Sequence, residues 1–169
     1  MVIWLIGLSS SGKTTIAKEI IKLLKIKNKG PILVDGDEGR KIWGDDLGHD
    51  IASREINAGR LSRMCKLLDQ QNVDVVGAVL SLFPKWQNWN RKNFSQYYEV
   101  YLDVPMHILE KRDPKLIYKR ARQGKLKNVA GIDLTFIAPP NPDLVIKKPK
   151  VLKEPKIIAK YILEKINEK

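Results

Sequence analysis

Short apolar runs recur along the chain at Val2 to Ile6, Ile32 to Val34, Val73 to Leu80, Tyr98 to Leu102 and Leu144 to Ile146. Between them apolar residues return every three or four positions, the spacing of helices with one buried face. Short buried strands alternating with helices predict an α/β fold, a parallel five-stranded sheet with helices on both faces. The first helix is expected from Lys13 to about Lys25, with Gly30-Pro31 turning the chain into the second strand. A longer helix from about Ser53 to Gln71, capped by Ser53, carries Ile56, Leu61, Met64, Leu67 and Leu68 on its apolar side. Short helices follow near Lys85 to Phe94 and Pro105 to Lys111. A closing helix from Pro155 to Asn167 sets Ile157, Ile158, Tyr161, Ile162 and Ile166 on one face, opposite lysines. Ala138-Pro139-Pro140-Asn141-Pro142 reads as a rigid surface loop. With no internal repeat, low-complexity segment or linker, residues 1–169 are expected to form one domain.

Composition agrees with that frame. A chain of 169 residues with 43% apolar content can bury a core of its own. No run of eighteen apolar residues exists to span a membrane, and the N-terminal stretch lacks the basic flank of a secretory leader, so a cytoplasmic location is expected. The single cysteine, Cys65, cannot close an internal disulfide; its helical spacing from Leu61, Met64 and Leu68 places it in the core. The net charge of +12 gathers in Lys111 to Lys127 and in the tail from Lys147 to Lys169. The tail charges read as the solvated face of the closing helix, whereas the internal cluster lies where a segment can close over anionic phosphates. No nucleic-acid or membrane partner is expected.

The chemistry begins at Gly7-Leu8-Ser9-Ser10-Ser11-Gly12-Lys13-Thr14, a full G-x-x-x-x-G-K-[ST] match between the first strand and the first helix. Gly7 and Gly12 let the backbone turn tightly and approach phosphate oxygens, so that the N–H groups of Ser9, Ser10, Ser11 and their neighbours point at an anion. The helix that starts near Lys13 turns its positive end toward the same place. Lys13 is expected to neutralise the β- and γ-phosphates of ATP, and the Thr14 hydroxyl to hold Mg²⁺. The second strand ends in Asp35-Gly36-Asp37, followed by Arg40. Carboxylates at a strand's carboxyl end lie in the ligand crevice of such a sheet, where Asp35 or Asp37 can order the metal shell or accept a proton. Asp37 is also expected to cap the helix that follows.

These residues belong to a longer series: Gly7-Leu8-Ser9-x-Ser11-Gly12-Lys13-x-Thr15, Asp35-Gly36-Asp37 with Arg40, Asp46-Leu47-Gly48, Arg54 with Asn57 and Arg60, Arg112-Asp113-Pro114-Lys115 and Gly131-Ile132-Asp133. In that order and spacing, over roughly Ile3 to Ile146, the chain resembles the adenylyl-sulfate kinases, which pass the γ-phosphate of ATP to the 3′-hydroxyl of adenosine 5′-phosphosulfate. The resemblance implies a P-loop NTPase fold, often dimeric, with a basic lid at about 112–131. It implies that Arg40, Arg54 and Asn57 hold the acceptor's anionic tail and ribose, and that Arg112 lies near the adenine of ATP. Lys115, Tyr118, Lys119, Arg120 and Lys127 would belong to the lid.

The departures fall on the acceptor side. Where the family sandwiches adenine between two phenylalanines, this chain has His49 and Val129. Where it has Ser-Pro-Tyr-Arg after the third strand, this chain has Ser81-Leu82-Phe83-Pro84, keeping the serine and losing the arginine. Gly59 replaces an arginine and Ile137 a glutamate. Base stacking on an aromatic is worth about 1 to 3 kcal/mol, so the base site is expected to differ. A relative within the fold family phosphorylates cytidine diphosphoramidate for capsule decoration, and that acceptor is favoured here over adenylyl sulfate.

Trp86 and Trp89, three apart, offer a replacement base platform, but their spacing favours packing against the core. His107 reads as structural. No Cys/His cluster has metal-ligand spacing, leaving Mg²⁺ brought with ATP. Two other readings remain open: a nucleotide- or RNA-binding protein that keeps the loop without turnover, and a kinase for a metabolite lacking a base. Steep salt dependence would mark the first, and failure to consume any free nucleotide acceptor the second.

Overall fold

The computed structural model describes residues 1–26, 30–147 and 154–168. Five strands, β1 (Val2–Ile6), β2 (Ile32–Asp35), β3 (Val75–Val79), β4 (Tyr97–Asp103) and β5 (Leu144–Lys147), form one sheet in the order β2-β3-β1-β4-β5. Every pairing is parallel, from Val2 beside Val75 and Tyr97 at the centre to Val100 beside Leu144 at the edge. The connections carry α1 (Lys13–Ile26), α2 (Gly36–Ile42), α3 (Ile51–Gln70), α4 (Pro84–Asn93), α5 (Met106–Arg112) and α6 (Ile117–Arg122), and α7 (Pro155–Asn167) closes the chain.

All five residues of β1 are buried, because both faces of the sheet are covered. Ile3 and Leu5 join Ile16, Ile20, Leu109, Ile158 and Ile162 in a core under α1, α5 and α7. Val2, Trp4 and Ile6 point the other way, into a second core with Leu61, Cys65 and Phe94 under α3 and α4. Burying an aliphatic side chain such as Leu5 contributes about 1.5–3 kcal/mol. Cys65 is fully buried as expected, and burial pushes its thiol up to about 12.

Several expectations about helix ends and faces are corrected. The cap of α2 is Asp35, whose carboxylate accepts from the Asp37 N–H at 2.9 Å; Asp37 sits in the first turn. The cap of α3 is Asp50, which accepts from the Ser53 N–H at 2.9 Å, so the helix begins two residues before Ser53. In both cases a carboxylate with extended backbone precedes the residue chosen from sequence and reaches the orphan N–H first. Along α3 the buried stripe is Asn57, Leu61 and Cys65, leaving Ile56 and Leu67 more than half exposed. On α7, Ile157 is exposed while Ile158, Ile162 and Ile166 are buried. The α6 helix was not anticipated, since its basic residues leave little apolar period to read. Of the basic tail, Lys148, Lys150, Lys153 and Lys169 lie outside the described residues. No described helix is long and apolar enough to cross a membrane.

Candidate functional site

The carboxyl ends of β1, β2 and β3 open into one cavity of about 960 Å³. That is the upper end of the usual ligand-pocket range, about 300–1,000 Å³. It is lined by Ser9, Ser10, Ser11, Gly12, Lys13, Thr14, Thr15, Asp35, Asp37, Arg40, His49, Arg54, Asn57, Ser81, Arg112, Lys127 and Val129. Of the residues singled out from sequence, Gly7 does not line it but supports it from below. A Cβ there would lie 2.9 Å from Ser11 Oγ and 3.1 Å from the Leu102 carbonyl oxygen. Gly12 takes φ +95°, which favours glycine, and α1 starts on the next residue.

The phosphate loop is held from several sides. The Lys13 ammonium donates to the Leu8 carbonyl at 2.8 Å, bending its side chain back over the loop. Tyr118, buried beneath the basic segment, donates its hydroxyl to the Ser9 carbonyl at 2.9 Å. Burial pushes the Lys13 ammonium down to about 8, against the pull of Asp37 and Asp35. A cation enclosed in this way has few competing waters and is left with a demand for an anionic partner.

Two carboxylates face that lysine. The Thr14 hydroxyl donates to Asp35 Oδ2 at 2.5 Å, while Asp35 Oδ1 caps α2. Lys115 donates to Asp37 Oδ2 at 2.6 Å, joining the segment after α5 to the end of β2. Partial burial raises the Asp37 carboxyl, but Lys115, with Lys13 and His49 behind it, outweighs this and keeps it ionised below its ordinary range. Among the described residues no three His, Cys, Asp or Glu side chains form a metal cage. The hard oxygens of Thr14 and Asp35 fit an ion such as Mg²⁺, which keeps several waters and takes only one or two protein ligands.

The opposite wall is cationic. Buried Arg40 donates to the Leu47 and Gly48 carbonyls at 3.2 and 2.8 Å. Arg54 donates to the His49 carbonyl at 2.6 Å and the Asn128 carbonyl at 2.8 Å, tying α3 to the basic segment. Both guanidiniums thus brace loops that border the cavity. Burial pushes the His49 imidazole down, helped by Arg40 and Arg54, leaving it neutral at pH 7. Val129 is buried in the core under α1 while lining the cavity. Asp133 fixes its backbone by accepting from the Asn128 and Val129 N–H groups. The Ser81 hydroxyl and carbonyl accept from the Gln87 amide at 3.2 and 3.0 Å.

Two placements differ from expectation. Trp86 lines the cavity, whereas Trp89 packs edge-on against Trp86 and Phe94, so the pair divides between cavity and core. Ile137 is exposed and is not among the residues that line the cavity. His107 is exposed on α5, also outside it. Asp113, read from sequence within a motif but given no role, accepts from the Ile117 and Lys119 N–H groups and anchors α6. Sequence reasoning missed Ser62 and Asn90 on the cavity wall, which carry no motif signal.

A family model described as adenylylsulphate kinase matches residues 1–147. The cytidine diphosphoramidate kinase of Campylobacter jejuni is 39% identical over 145 residues, covering 86% of this chain and 84% of that one. The adenylyl-sulfate kinase of Aeromonas salmonicida is 36% identical over 146 residues, 85% of this chain and 74% of that one. Among solved structures, the Mycobacterium tuberculosis APS kinase CysC in complex with AMPPNP and APS superposes with a TM-score of 0.91 at 30% identity, covering 98% of this chain and 96% of that one. With the phosphate loop, the sheet order and the paired carboxylates in place, the chain belongs to the adenylyl-sulfate kinase family, nucleotide kinases that transfer phosphate to an alcohol group.

Proposed function

We propose that this protein transfers the γ-phosphate of ATP to the ribose 3′-hydroxyl of cytidine diphosphoramidate. The observation that carries the choice of acceptor is the pair His49 and Val129 lining the acceptor side of the cavity, where the adenylyl-sulfate kinases place two phenylalanines around adenine. Neutral His49 offers a hydrogen-bonding partner to a smaller base, and Val129 offers no stacking face. The 39% identity to the C. jejuni kinase supports the same acceptor.

In this reading Lys13 and the loop amides hold the β- and γ-phosphates. Thr14 and Asp35 would hold Mg²⁺, which would supply charge neutralisation for the transferred phosphoryl group. Arg40, Arg54 and Asn57 hold the acceptor's tail and ribose, a task suited to guanidinium forks. Asp37 accepts the proton of the 3′-hydroxyl as its oxygen bonds to the γ-phosphorus and the bond to the departing ADP breaks. Residues 112–131 act as the lid, with Lys115 and Lys127 over the phosphates and Arg112 toward the ATP base.

Incubation with ATP, Mg²⁺ and cytidine diphosphoramidate, followed by phosphorus NMR, tests this. A new 3′-phosphomonoester and one ADP per product are expected, and both should disappear in Lys13→Ala. Turnover unchanged in that variant would overturn the assignment. Adenylyl sulfate is the second reading, favoured by the adenylyl-sulfate kinases at similar identity and by the likeness to the M. tuberculosis enzyme.

A further inference from the structure

The loop between α2 and α3, residues 43–50, carries His49 to the cavity with little apolar packing to hold it. Half-buried Trp43 and Leu47 aside, its residues are exposed, and it turns through two successive left-handed residues, Gly44 at φ +72° and Asp45 at φ +51°. Arginines of the flanking helices fix it instead. Arg60 of α3 takes Asp46 with both ends of its fork, Nη1 donating to Oδ1 at 2.7 Å and Nη2 to Oδ2 at 2.8 Å. Arg40 of α2 donates to the Leu47 and Gly48 carbonyls, and Arg54 of α3 to the His49 carbonyl. Each residue from 46 to 49 is thus gripped by a guanidinium.

The three grips are not equivalent. Arg40 and Arg54 line the cavity, and in the proposed transfer they turn to the acceptor's anionic tail and ribose. An anion competes well for hydrogens now given to neutral carbonyls, because a hydrogen bond with charge on both partners is the stronger one. Arg60 and Asp46 do not line the cavity, so an acceptor does not draw on them. Their contact is bidentate, which fixes direction as well as distance. The Arg60 guanidinium also lies 5.7 Å from the centre of the Trp43 ring, and Trp43 packs on the core under α3 and α4. A planar guanidinium over an aromatic face is held in its plane. With side chains 32% and 45% exposed, the ion pair adds little to global stability; its effect is on where the loop lies.

We propose that Arg60, Asp46 and Trp43 form a clamp that keeps the acceptor loop, and His49 with it, in place while an anionic acceptor draws Arg40 and Arg54 away from the loop carbonyls. Arg60 is then a positioning residue, acting on the base site through Asp46 and the loop. The proposal rests on the reading above in one respect, that Arg40 and Arg54 turn to the acceptor. It gives the Asp46-Leu47-Gly48 motif a use: one carboxylate for the clamp, and two carbonyls that hold Arg40 until the acceptor arrives.

Asp46→Asn and Arg60→Gln, singly and together in the full chain, test it with ATP, Mg²⁺ and, in turn, cytidine diphosphoramidate and adenylyl sulfate. Each single variant is expected to raise KM for the acceptor about tenfold, while KM for ATP and the melting temperature change little. The double variant should be no worse than either single one, since both break the same contact. Arg60→Lys keeps the charge but not the fork and should recover only part of the loss; it also serves if Arg60→Gln does not fold. An unchanged acceptor KM in Asp46→Asn, equal rises in both KM values, or a double variant whose loss is the product of the two single losses would overturn the clamp. If the parent chain phosphorylates neither acceptor, the proposed reaction falls, and calorimetry of acceptor binding in the presence of ADP decides the clamp. A tenfold weakening in Asp46→Asn would uphold it, and binding that is unchanged in that variant or absent from the parent chain would overturn it.

Discussion

Lys115 closes onto Asp37 across 78 positions of sequence, its ammonium 2.6 Å from the carboxylate. The contact joins the basic segment that follows α5 to the carboxyl end of β2, over the mouth of the phosphate loop. Both side chains are more than half exposed, so the pair adds little to stability. Its effect is expected on substrate handling. Lys115→Ala should leave the melting temperature within a degree or two while lowering kcat/KM on the order of tenfold. A large loss of stability in a thermal melt would show the contact to be structural instead.

Lys13 carries a cost in the free protein. Burial holds its ammonium near 8, so the unfolded chain binds the proton more tightly between about pH 8 and the ordinary lysine value of about 10.4. Folding stability therefore rises with pH across that window, and the penalty is fully present below it. Lys13→Met should raise stability at pH 7 by on the order of 1 kcal/mol, with the gain gone by about pH 10, and should abolish transfer. Denaturant titrations at the two pH values check this. In the parent chain kcat/KM for ATP should fall as pH rises through about 8.

His49 is held below the ordinary histidine range by burial and by Arg40 and Arg54. Its contribution to stability runs the same way: present at neutral pH, and lost as pH falls below about 6.5 toward its folded value. Imidazole proton NMR should place the His49 midpoint below the ordinary histidine value of about 6.5. His49→Phe, restoring an aromatic wall, should move selectivity toward adenine acceptors by about 1–3 kcal/mol, roughly five- to 160-fold in relative kcat/KM.

Tyr118 braces the Ser9 carbonyl from beneath the loop. Tyr118→Phe keeps the ring in the core and removes that hydrogen bond, at a cost of about 1 kcal/mol of stability. Because the bond orders the loop that cradles phosphate, KM for ATP should rise several-fold while KM for the acceptor changes little. Initial-rate kinetics with each substrate varied in turn would separate the two.

Much of this was readable in the chain. The five strands announce themselves because each is buried by helices, so Val2 to Ile6 shows no polar alternation. The loop from Gly7 to Thr14 is legible because phosphate binding demands fixed residue types at fixed spacing. The helix caps were misread, since Asp35 and Asp50 were as able to cap as the residues chosen, and only backbone geometry decides between neighbours. Trp86 could not be assigned from its spacing with Trp89, because Gly59 on another helix gives it a place beside the cavity. The Thr14–Asp35 pair was equally hidden: it depends on atoms brought together by the sheet order, a relation that no local pattern records.

Competition between acceptors in one tube tests the acceptor assignment most directly. With ATP, Mg²⁺ and equal low concentrations of cytidine diphosphoramidate and adenylyl sulfate, the ratio of the two 3′-phosphorylated products equals the ratio of their kcat/KM values. The pair His49 and Val129 on the cavity wall predicts that the cytidine product dominates by about a hundredfold. Equal amounts, or an excess of the adenylyl product, would contradict it.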